Sequence, residues 1–201
     1  MNKKNIAIRS LLFFLFFTLV CGLIYTLVMT AVGEGIFHHK ATGSVIEIDG
    51  VKYGSELIGQ QFDDMDHLWG RPMSLDLNQL KADDGSPIAY AWATNKTPVG
   101  MEENDLVAER VERIKAAHPE MGDAVIPADL VTVSGSGLDP EISPEAAEYQ
   151  VKRLAANTGK SEDEIRAIID KYTTGRFLGV FGEKRVNVLK VNLALDGILV
   201  E

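Results

Sequence analysis

Apolar residues dominate the N-terminal part of the chain, where no charged side chain lies between Arg9 and Glu34. Residues 11–32 are almost wholly apolar, and four of the first seven are phenylalanines. At a rise of about 1.5 Å per residue, this stretch reaches about 33 Å, enough to cross a hydrocarbon core of about 30 Å. The pattern predicts one membrane-spanning helix.

A cleaved signal peptide is the alternative interpretation, because Ala31-Val32-Gly33 loosely fits a small-residue cleavage site. The apolar core of a signal peptide is usually about 7 to 15 residues long, and this run is longer. The length therefore favours a retained transmembrane anchor over residues 11–33.

Three cations precede the anchor with no acid near them, namely Lys3, Lys4 and Arg9. Positively charged flanks of a membrane span stay on the cytoplasmic side. Residues 1–10 are therefore predicted to be cytoplasmic, and residues 34–201 are predicted to form an extracytoplasmic domain.

Beyond the anchor, apolar and polar residues alternate in the segment SVIEIDGVKYG, on both sides of Asp49-Gly50. This dipeptide suits a type I′ turn, whose two central residues need positive φ. A β-hairpin is therefore predicted. The apolar positions of its arms are Val45, Ile46, Ile48, Val51 and Tyr53.

Three helices are predicted from apolar spacing and from their caps. The first runs from Asn104 and stops just after His118, because a proline follows. Its apolar residues are Leu106, Val107, Val111 and Ile114. The second begins at an N-cap, Ser143, followed by Pro144, and ends before Gly159. The third begins with a capping box formed by Ser161 and Glu164.

The C-terminal segment VNVLKVNLALDGIL is predicted as a β run. The residues that would share one face are Leu189, Val191, Leu193 and Leu195. Residues 81–100 mix turn formers with two aromatic residues, Tyr90 and Trp92, show no clear period and are interpreted as a surface excursion. Without strict alternation of strands and helices, the chain is predicted to be one transmembrane helix followed by one mixed α+β domain.

The charge of the predicted outer domain limits the classes of partner that it can bind. The first 33 residues hold three of the 20 Lys and Arg and none of the 29 Asp and Glu, so residues 34–201 carry −12. Nucleic acid is an unfavourable partner for so acidic a domain, and cations concentrate near it. The single cysteine, Cys21, lies in the anchor, so the outer domain cannot form disulfides.

The loop VTVSGSGLDPEIS, residues 131–143, resembles a phosphate loop or a serine active site only superficially. It has no lysine, which a P-loop requires, and no G-x-S-x-G elbow surrounds Ser134 or Ser136. A glycine-permitted turn is the favoured interpretation. The segment DKYTTG, residues 170–175, departs from the phosphorylation signature of P-type pumps and is predicted to be a helix end.

Four neighbouring polar residues offer metal ligands: Asp63, Asp64, Asp66 and His67. They lack the glycine and glutamate spacing of an EF-hand, so a solvated acidic turn is favoured over a metal site. In the anchor, Thr18, Gly22 and Thr26 form a small-residue stripe of the kind that lets membrane helices approach closely. Ordinary exposure to lipid is the alternative for that stripe.

Four segments together resemble the C subunit of the Kdp complex, the bacterial high-affinity potassium-transporting ATPase. They are GSELIGQQF, HLWGRP, IPADLVTVSGSGLDPEISPEAAEYQVKRLA and GEKRVNVLKVNLALD, and they follow the anchor in the family's order. The middle of the chain departs from the family: GSPIAYAWATN stands where the family usually has a sequence like Ser-Gly-Gly-Ser-Asn-Leu, and Met73 follows Arg71-Pro72.

This resemblance implies a noncatalytic accessory subunit, single-pass in the bacterial plasma membrane. The implied partners are a channel-like potassium-binding subunit and a P-type ATPase subunit, with no metal or cofactor held by this chain and ATP bound only with the pump subunit. The motif residues to which the resemblance assigns a partner contact or a structural role are Gly59, Gln60, Arg71, Pro72, Ser134, Gly135, Ser136, Gly137, Leu138, Asp139, Pro140, Asn187 and Asn192.

An alternative for the family is a catalytic chaperone that raises the ATP affinity of the pump subunit. In this alternative, the LIGQ segment, residues 57–60, is similar to a nucleotide-contacting signature. The predicted orientation conflicts with it, because Gln60 would lie outside the cell, where ATP is scarce.

Overall fold

The computed structural model of the chain describes residues 3–91, 93–97 and 100–199. It divides into two compact units, the first ending at Val45 and the second beginning at Ile46. The predicted domain limits at residues 10, 33 and 34 stay predictions.

The N-terminal unit is mainly one long helix. It comprises α1 (Lys3–Phe17), a π-helical segment (Thr18–Ile24) and α2 (Tyr25–Ile36), followed by the short α3 (His38–Ala41). Over Asn5–Ile36, 32 residues, it contains a window of mean hydropathy 2.6, which meets the length and composition of a membrane span. This confirms the predicted apolar helix.

The predicted small-residue stripe coincides with the π-helical segment. Thr18 and Gly22 lie in that segment, and Thr26 lies just beyond it in α2. The Thr18 hydroxyl donates to the Phe14 carbonyl at 2.8 Å, and the amide of Tyr25 reaches five residues back to Val20. Single π turns of this kind are frequent at functional positions of helices. Packing of the stripe against a partner helix stays a prediction.

The predicted hairpin is present, formed by β1 (Val45–Ile48) and β2 (Val51–Ser55), and all of it except Val45 lies in the second unit. Asp49 has φ of 51° and Gly50 has φ of 78°, both positive as a type I′ turn requires. The prediction from Asp-Gly is therefore confirmed.

Residues 81–100, interpreted as a surface excursion without a clear period, are mostly exposed in their described first half but contain regular structure there. Strand β3 (Leu75–Lys81) pairs antiparallel with β4 (Pro87–Ala91). The register shifts between Asp76 and Leu80, so the pairing of the two strands is irregular there. Tyr90 lies in β4, whereas Trp92 lies outside the described residues.

The three predicted helices are confirmed. Helix α4 (Met101–Ala117) starts three residues earlier than predicted and stops before Pro119. The second helix is interrupted at Gln150 into α5 (Pro144–Tyr149) and α6 (Val151–Thr158). The Ser143 N-cap is present, Gly159 ends α6 with φ of 73°, and Ser161 and Glu164 form both hydrogen bonds of a capping box at α7 (Glu162–Lys171).

The predicted C-terminal β run is mostly wrong, because it forms α8 (Val188–Leu195) after a short strand. That strand, β7 (Arg185–Asn187), lies between β5 (Glu141–Ile142) and β6 (Thr173–Thr174) in an antiparallel sheet. The Asn187 side chain caps α8 by accepting from the Lys190 amide at 3.0 Å. Helix α8 is buried on both sides, so its sequence has no polar face to reveal a helical period.

The core of the second unit lies between α4, α5, α6, α7, α8 and the three-stranded sheet. Its fully buried apolar side chains include Leu68, Ala146, Ala147, Val151, Leu154, Ile165, Val186 and Val191. The fold is a mixture of helices and strands, as the sequence predicted.

Candidate functional site

Most of the motif residues meet in one place, which we call the motif cluster. It is formed by residues 56–60, 71–74, 129–140 and 187–189. The amide of Gly59 donates to the carbonyl of Leu138 at 2.9 Å, and the amide of Ser74 donates to the carbonyl of Gly137 at 3.1 Å. The glycine-rich loop is therefore held by backbone hydrogen bonds from two other segments.

The start of α8 closes the motif cluster from the other side. The amide of Val188 donates to the carbonyl of Pro140 at 3.1 Å. The side-chain amide of Asn187 donates to the carbonyl of Glu56 at 2.9 Å, while its oxygen caps α8. Asn187 thus joins the helix to the LIGQ region across 131 positions of sequence.

Arg71 lies at the centre of the motif cluster. Its guanidinium donates to the carbonyls of Thr132 and Val133 at 3.3–3.4 Å. The carboxylates of Asp129 and Asp139 each lie 3.7 Å from one of its terminal nitrogens. A planar guanidinium can contact several oxygens at once, so Arg71 fixes both ends of the loop.

The side chain of Gln60 makes a hydrogen bond within this chain. Its side-chain amide donates to the carbonyl of Tyr53 at 3.0 Å. A Cβ at Gly54 would lie 1.8 Å from the Gln60 side-chain nitrogen, so the contact requires glycine there. The crevice beside Gln60 and Arg71 has a volume of about 10 Å³, room for about one water molecule and far too small for a nucleotide base.

The two loop serines stabilise a turn. The hydroxyl oxygen of Ser134 accepts from the amide of Gly137 at 3.1 Å, and that of Ser136 accepts from the amide of Leu138 at 3.2 Å. Gly137 has φ of 73°, a conformation that favours glycine. A Cβ at Gly135 would meet nothing within 4 Å, so this loop position faces open space. The geometry is that of a tight turn, as the sequence predicted.

Two of the predicted motif residues lie apart from the hydrogen-bonded core of the motif cluster. Pro72 lines a cavity of about 270 Å³ together with Trp69, Arg110 and Arg113. Asn192 is buried in α8, where its side chain accepts from the amide of Leu68 at 2.7 Å and donates to the carbonyl of the same residue at 3.0 Å. Asn192 therefore supports the chain segment that precedes Arg71.

Sequence reasoning missed the residue that organises that segment. Arg153 in α6 is 2% exposed, and its guanidinium donates to five acceptors. They are the carbonyls of Asp64, Met65 and His67, the side-chain oxygen of Gln150 and the ring nitrogen Nε2 of His118. Burial lowers the pKa of Arg153 to about 10, and Glu120 and Asp66 oppose this lowering. We call these contacts the Arg153 clamp.

Trp69 is the anchor of the clamped segment. The guanidinium groups of Arg113 and Arg153 each lie over its indole ring, 4.6 Å from the ring centre. The side chain of Gln150 accepts from the Trp69 amide at 2.8 Å and donates to the Trp69 carbonyl at 3.0 Å. The clamp therefore fixes the main chain immediately before Arg71. The sequence signal for Arg153 was a charged residue on the apolar face of its helix, and it became recognisable only with the structure.

His118 is held in its neutral form. Its Nδ1 lies 2.8 Å from the carbonyl of Ile114 and must donate a proton, so Nε2 carries the lone pair that accepts from Arg153 at 2.9 Å. Burial, reinforced by the charge of Arg153, lowers the pKa of His118, although the Ile114 hydrogen bond and Glu120 oppose this. Both ring nitrogens are thereby engaged within the fold.

The pKa of His67 is shifted in the opposite direction to that of His118. Its Nδ1 lies 3.2 Å from Asp64 and its Nε2 lies 3.1 Å from Asp196, while Asp66 is 3.8 Å away. Burial acts to lower the pKa of His67, but hydrogen bonds with Asp196 and Asp64 and the charges of Asp196 and Asp66 outweigh it, so the pKa is raised. Ligand atoms of Asp64, Asp66 and His67 lie within 4.8 Å of one another. A metal ion on Nδ1 would replace an existing contact with a carboxylate.

These opposite shifts predict a pH dependence of stability. Because the folded pKa of His67 is raised, its contribution is complete below the unfolded value of about 6.5 and is lost as pH rises through the folded pKa. His118, with a lowered pKa, loses its contribution only as pH falls below about 6.5. We therefore expect H67Q to flatten the decline in thermal midpoint above pH 6.5.

The measurement is the unfolding midpoint of the detergent-solubilised chain between pH 5 and 8, for the wild type and H67Q. His38→Gln is the control, because it removes an exposed histidine in the other unit, hydrogen-bonded to Glu34. Parallel curves for the wild type and H67Q above pH 6.5 would show that protonation of His67 beside Asp64 and Asp196 does not contribute to stability.

The similarity to known proteins extends over almost the whole chain. A family model described as "KdpC: K+-transporting ATPase, c chain" matches residues 7–197. The potassium-transporting ATPase KdpC subunit of Clostridium perfringens is 54% identical over 193 residues, which are 96% of this chain and 98% of the relative. The KdpC subunit of Clostridium botulinum is 51% identical over 196 residues, 98% of both chains. That of Paraburkholderia xenovorans is 43% identical over 193 residues, 96% of this chain and 97% of the relative.

Proposed function

Since the chain belongs to the KdpC family, and is therefore a subunit of a potassium-transporting ATPase complex, we propose that it is a noncatalytic accessory subunit of high-affinity, ATP-driven potassium import. In this proposal it is a single-pass protein of the bacterial plasma membrane that stabilises the assembly beside the outer ion entrance. Its partners are the channel-like potassium-binding subunit and the P-type ATPase subunit. It holds no cofactor of its own.

The observation that carries this proposal is the distribution of charge along the chain. Three cations and no acid precede Gly33, and residues 34–201 carry −12. The positive end stays in the cytoplasm, so the acidic domain follows the span to the outside. An acidic domain raises the local concentration of cations such as potassium. The proposed limits are a cytoplasmic segment 1–10, an anchor 11–33 and an outer domain 34–201.

The side-chain contacts support a noncatalytic role. The hydroxyls of Ser134 and Ser136 accept hydrogen bonds from backbone amides of their own loop. His118 is buried with both ring nitrogens engaged, and the ring nitrogens of His67 contact carboxylates. A serine nucleophile needs a base within hydrogen-bond reach. These groups serve turns and buried contacts, which favours an assembly subunit over a freestanding hydrolase.

The alternative function, a chaperone that raises ATP affinity, assigns a nucleotide contact to the LIGQ segment. The side-chain amide of Gln60 instead donates to Tyr53, beside a crevice of about 10 Å³. The alternative also requires this domain to face the cytoplasm. ATP-dependent protection of a cysteine introduced at Gln60, in cells expressing the whole complex, would support the chaperone over the accessory subunit.

The charge argument predicts an effect of ionic strength on uptake. We expect the triple variant Asp105→Asn, Glu109→Gln and Asp123→Asn, which neutralises three exposed carboxylates, to slow potassium uptake at low salt. The difference from the wild type should shrink toward physiological ionic strength, where the Debye length is about 8 Å. Glu→Asp and Asp→Glu changes at the same positions keep the charge and serve as controls.

The measurement is initial uptake of potassium, or of rubidium as its tracer, by cells expressing the complete complex. Amounts of assembled complex are compared in parallel, because a loss of subunits would lower uptake at every salt concentration. Equal uptake by the neutral and wild-type complexes at low salt would remove the field effect from the proposed function.

A further inference from the structure

Residues 177–181, with the sequence FLGVF, form a small exposed hairpin between β6 and β7, which we call the apolar finger. Four of its five residues have large apolar side chains. Their exposed fractions are 71% for Phe177, 75% for Leu178, 70% for Val180 and 64% for Phe181. A contiguous set of large apolar side chains at the surface marks a contact with another molecule or with a membrane. The finger has no polar side chain, so its own side chains offer a protein surface no hydrogen bond.

The backbone amides of the apolar finger are hydrogen-bonded within the hairpin. The amide of Phe177 donates to the carbonyl of Phe181 at 2.8 Å, and the amide of Phe181 donates back at 2.9 Å. The amide of Gly179 donates to the carbonyl of Arg176 at 3.1 Å. The amide of Val180 donates to the carbonyl of Phe177 at 3.2 Å. Lipid supplies no hydrogen bonds, so an amide that enters hydrocarbon needs such an internal partner. Four of the five amides of the finger already have one.

Cations outnumber acids around the apolar finger, although the rest of the domain is acidic. Residues 171–187 contain one acid, Glu183, and four cations. The cations are Lys171, Arg176, Lys184 and Arg185, all of them exposed. Arg176 pairs with Glu183, and Arg185 pairs with Glu141 of β5. Counting Glu141, four cations face two acids, so this surface carries +2 and the remainder of residues 34–201 carries −14. Exposed Lys and Arg attract anionic lipid headgroups, and charges beyond about 8–10 Å are screened.

A lipid surface is always within reach of the second unit. Helix α2 ends at Ile36, and the second unit begins at Ile46. Ten residues of fully extended chain span at most about 36 Å, so the covalent link keeps the start of the second unit within that distance of the end of the apolar helix. A tethered site meets its partner at a high effective concentration, so even a weak contact with lipid is populated.

We propose that the apolar finger inserts into the interfacial layer of the membrane that holds the anchor, with its apolar side chains among the acyl chains and its flanking cations at anionic phospholipid headgroups. Apolar side chains of interfacial segments lie about 5–10 Å deep, and Lys and Arg reach back to the headgroups. A groove on a protein would need both an apolar floor and an acidic rim, whereas an anionic lipid surface provides both. The inference rests on the anchor of the proposed function but not on its orientation.

The first test measures contact with lipid in the full chain, reconstituted through its anchor into vesicles of phosphatidylcholine and phosphatidylglycerol in equal parts. Val180→Cys in a Cys21→Ser background carries an environment-sensitive fluorophore, which nitroxide-labelled lipids quench on contact. We expect strong quenching at Val180→Cys and none at the matched control Val125→Cys, a position that is 90% exposed elsewhere in this unit. Equal quenching at the two positions would overturn the inference.

Two variants of the labelled chain separate the charged and apolar parts of the contact. Lys184→Gln removes an exposed cation beside the finger and should shift the insertion equilibrium toward water by about fivefold. It should have no effect in phosphatidylcholine alone. F177S/F181S should abolish quenching in both lipids and leave the thermal midpoint unchanged, because these side chains are exposed. Quenching that survives F177S/F181S, or an equal effect of Lys184→Gln in the two lipids, would contradict the proposed insertion.

The second test determines whether a partner subunit covers the apolar finger in the complete complex. The photo-cross-linker benzoylphenylalanine in place of Phe181 should become joined to phospholipid on irradiation, whereas the same group at Val125 should not. Cross-links to another subunit, or none above the level of the control position, would overturn the inference.

The inference and the proposed function fail in different ways. If the apolar finger stays in water, lipid does not quench the label at residue 180, while uptake still depends on the outer carboxylates. If the second unit faces the cytoplasm, the outer charge has no effect on uptake, whether or not lipid quenches that label.

Discussion

Replacing Arg153 by alanine is expected to lower the free energy of unfolding of the second unit by about 3–5 kcal/mol, because several acceptors lose their donor, at about 1–3 kcal/mol for each one left buried, and a large side chain is removed from the core. The variant leaves the carbonyls of Asp64, Met65 and His67 without their donor. It also removes one of the two guanidinium groups that stack on Trp69. Since domains are stable by only about 5–15 kcal/mol, the loss is a large fraction of the total.

Urea unfolding of the solubilised chain, followed by tryptophan fluorescence and circular dichroism, measures this effect. Arg166→Ala is the matched control, because Arg166 forms surface ion pairs with Glu148 and Glu162 and should contribute little. Arg153→Lys should recover only part of the loss, since an ammonium cannot reproduce five hydrogen bonds in a plane. Similar midpoints for Arg153→Ala and Arg166→Ala would refute the role of the Arg153 clamp.

Replacing Gly59 by alanine is expected to open the motif cluster. The added Cβ would lie 2.7 Å from the carbonyl oxygen of Asp139 and 3.2 Å from the carbonyl carbon of Leu138, and backbone atoms cannot yield as a flexible side chain does. Crowding of this kind usually costs about 1–3 kcal/mol. The glycine-rich loop must then move away from the LIGQ segment, so recovery of the chain with its partner subunits should fall as well.

Gly135→Ala is the control in the same loop, because a Cβ there meets open space. Each variant adds one methyl group to the wild-type chain, so any general effect of removing a glycine cancels when the two are compared. Amide hydrogen exchange at residues 57–60 and 134–140 reports directly on the contact between the LIGQ segment and the glycine-rich loop. Equal protection and equal recovery of the two variants would show that close approach at Gly59 has no role in assembly.

The elements that sequence predicted correctly depend on local chemistry. Asp49-Gly50 specifies its turn by itself, and Ser143 and Ser161 cap helices through residues at most three positions away. Helix α8 was predicted as a strand because burial on both sides gives it apolar residues at every spacing. Its true signal was again local, an Asn187 cap at the start and Gly197 with φ of 72° after the end.

The motif cluster and the Arg153 clamp could not be predicted in the same way, because their contacts join distant segments. The hydrogen bonds of Arg153 to Asp64 and His67 span 89 and 86 positions, and no local pattern specifies such partners. Resemblance supplied the motif residues, but it did not indicate that Gly59 touches Leu138. The exposed apolar hairpin of residues 177–181, in which Phe177 pairs with Phe181, had a visible signal in FLGVF, a short apolar run interrupted by a glycine.

The central claim is that the acidic domain lies on the extracytoplasmic side of the membrane. Labelling of single cysteines in a Cys21→Ser background tests it most directly. Val125→Cys places a thiol on a 90% exposed position of the second unit, and Asn5→Cys places one near the start of the anchor. With a membrane-impermeant maleimide on sealed cells, we expect Val125→Cys to be labelled at once and Asn5→Cys only after permeabilisation. The reverse pattern would place the acidic domain in the cytoplasm and contradict the account.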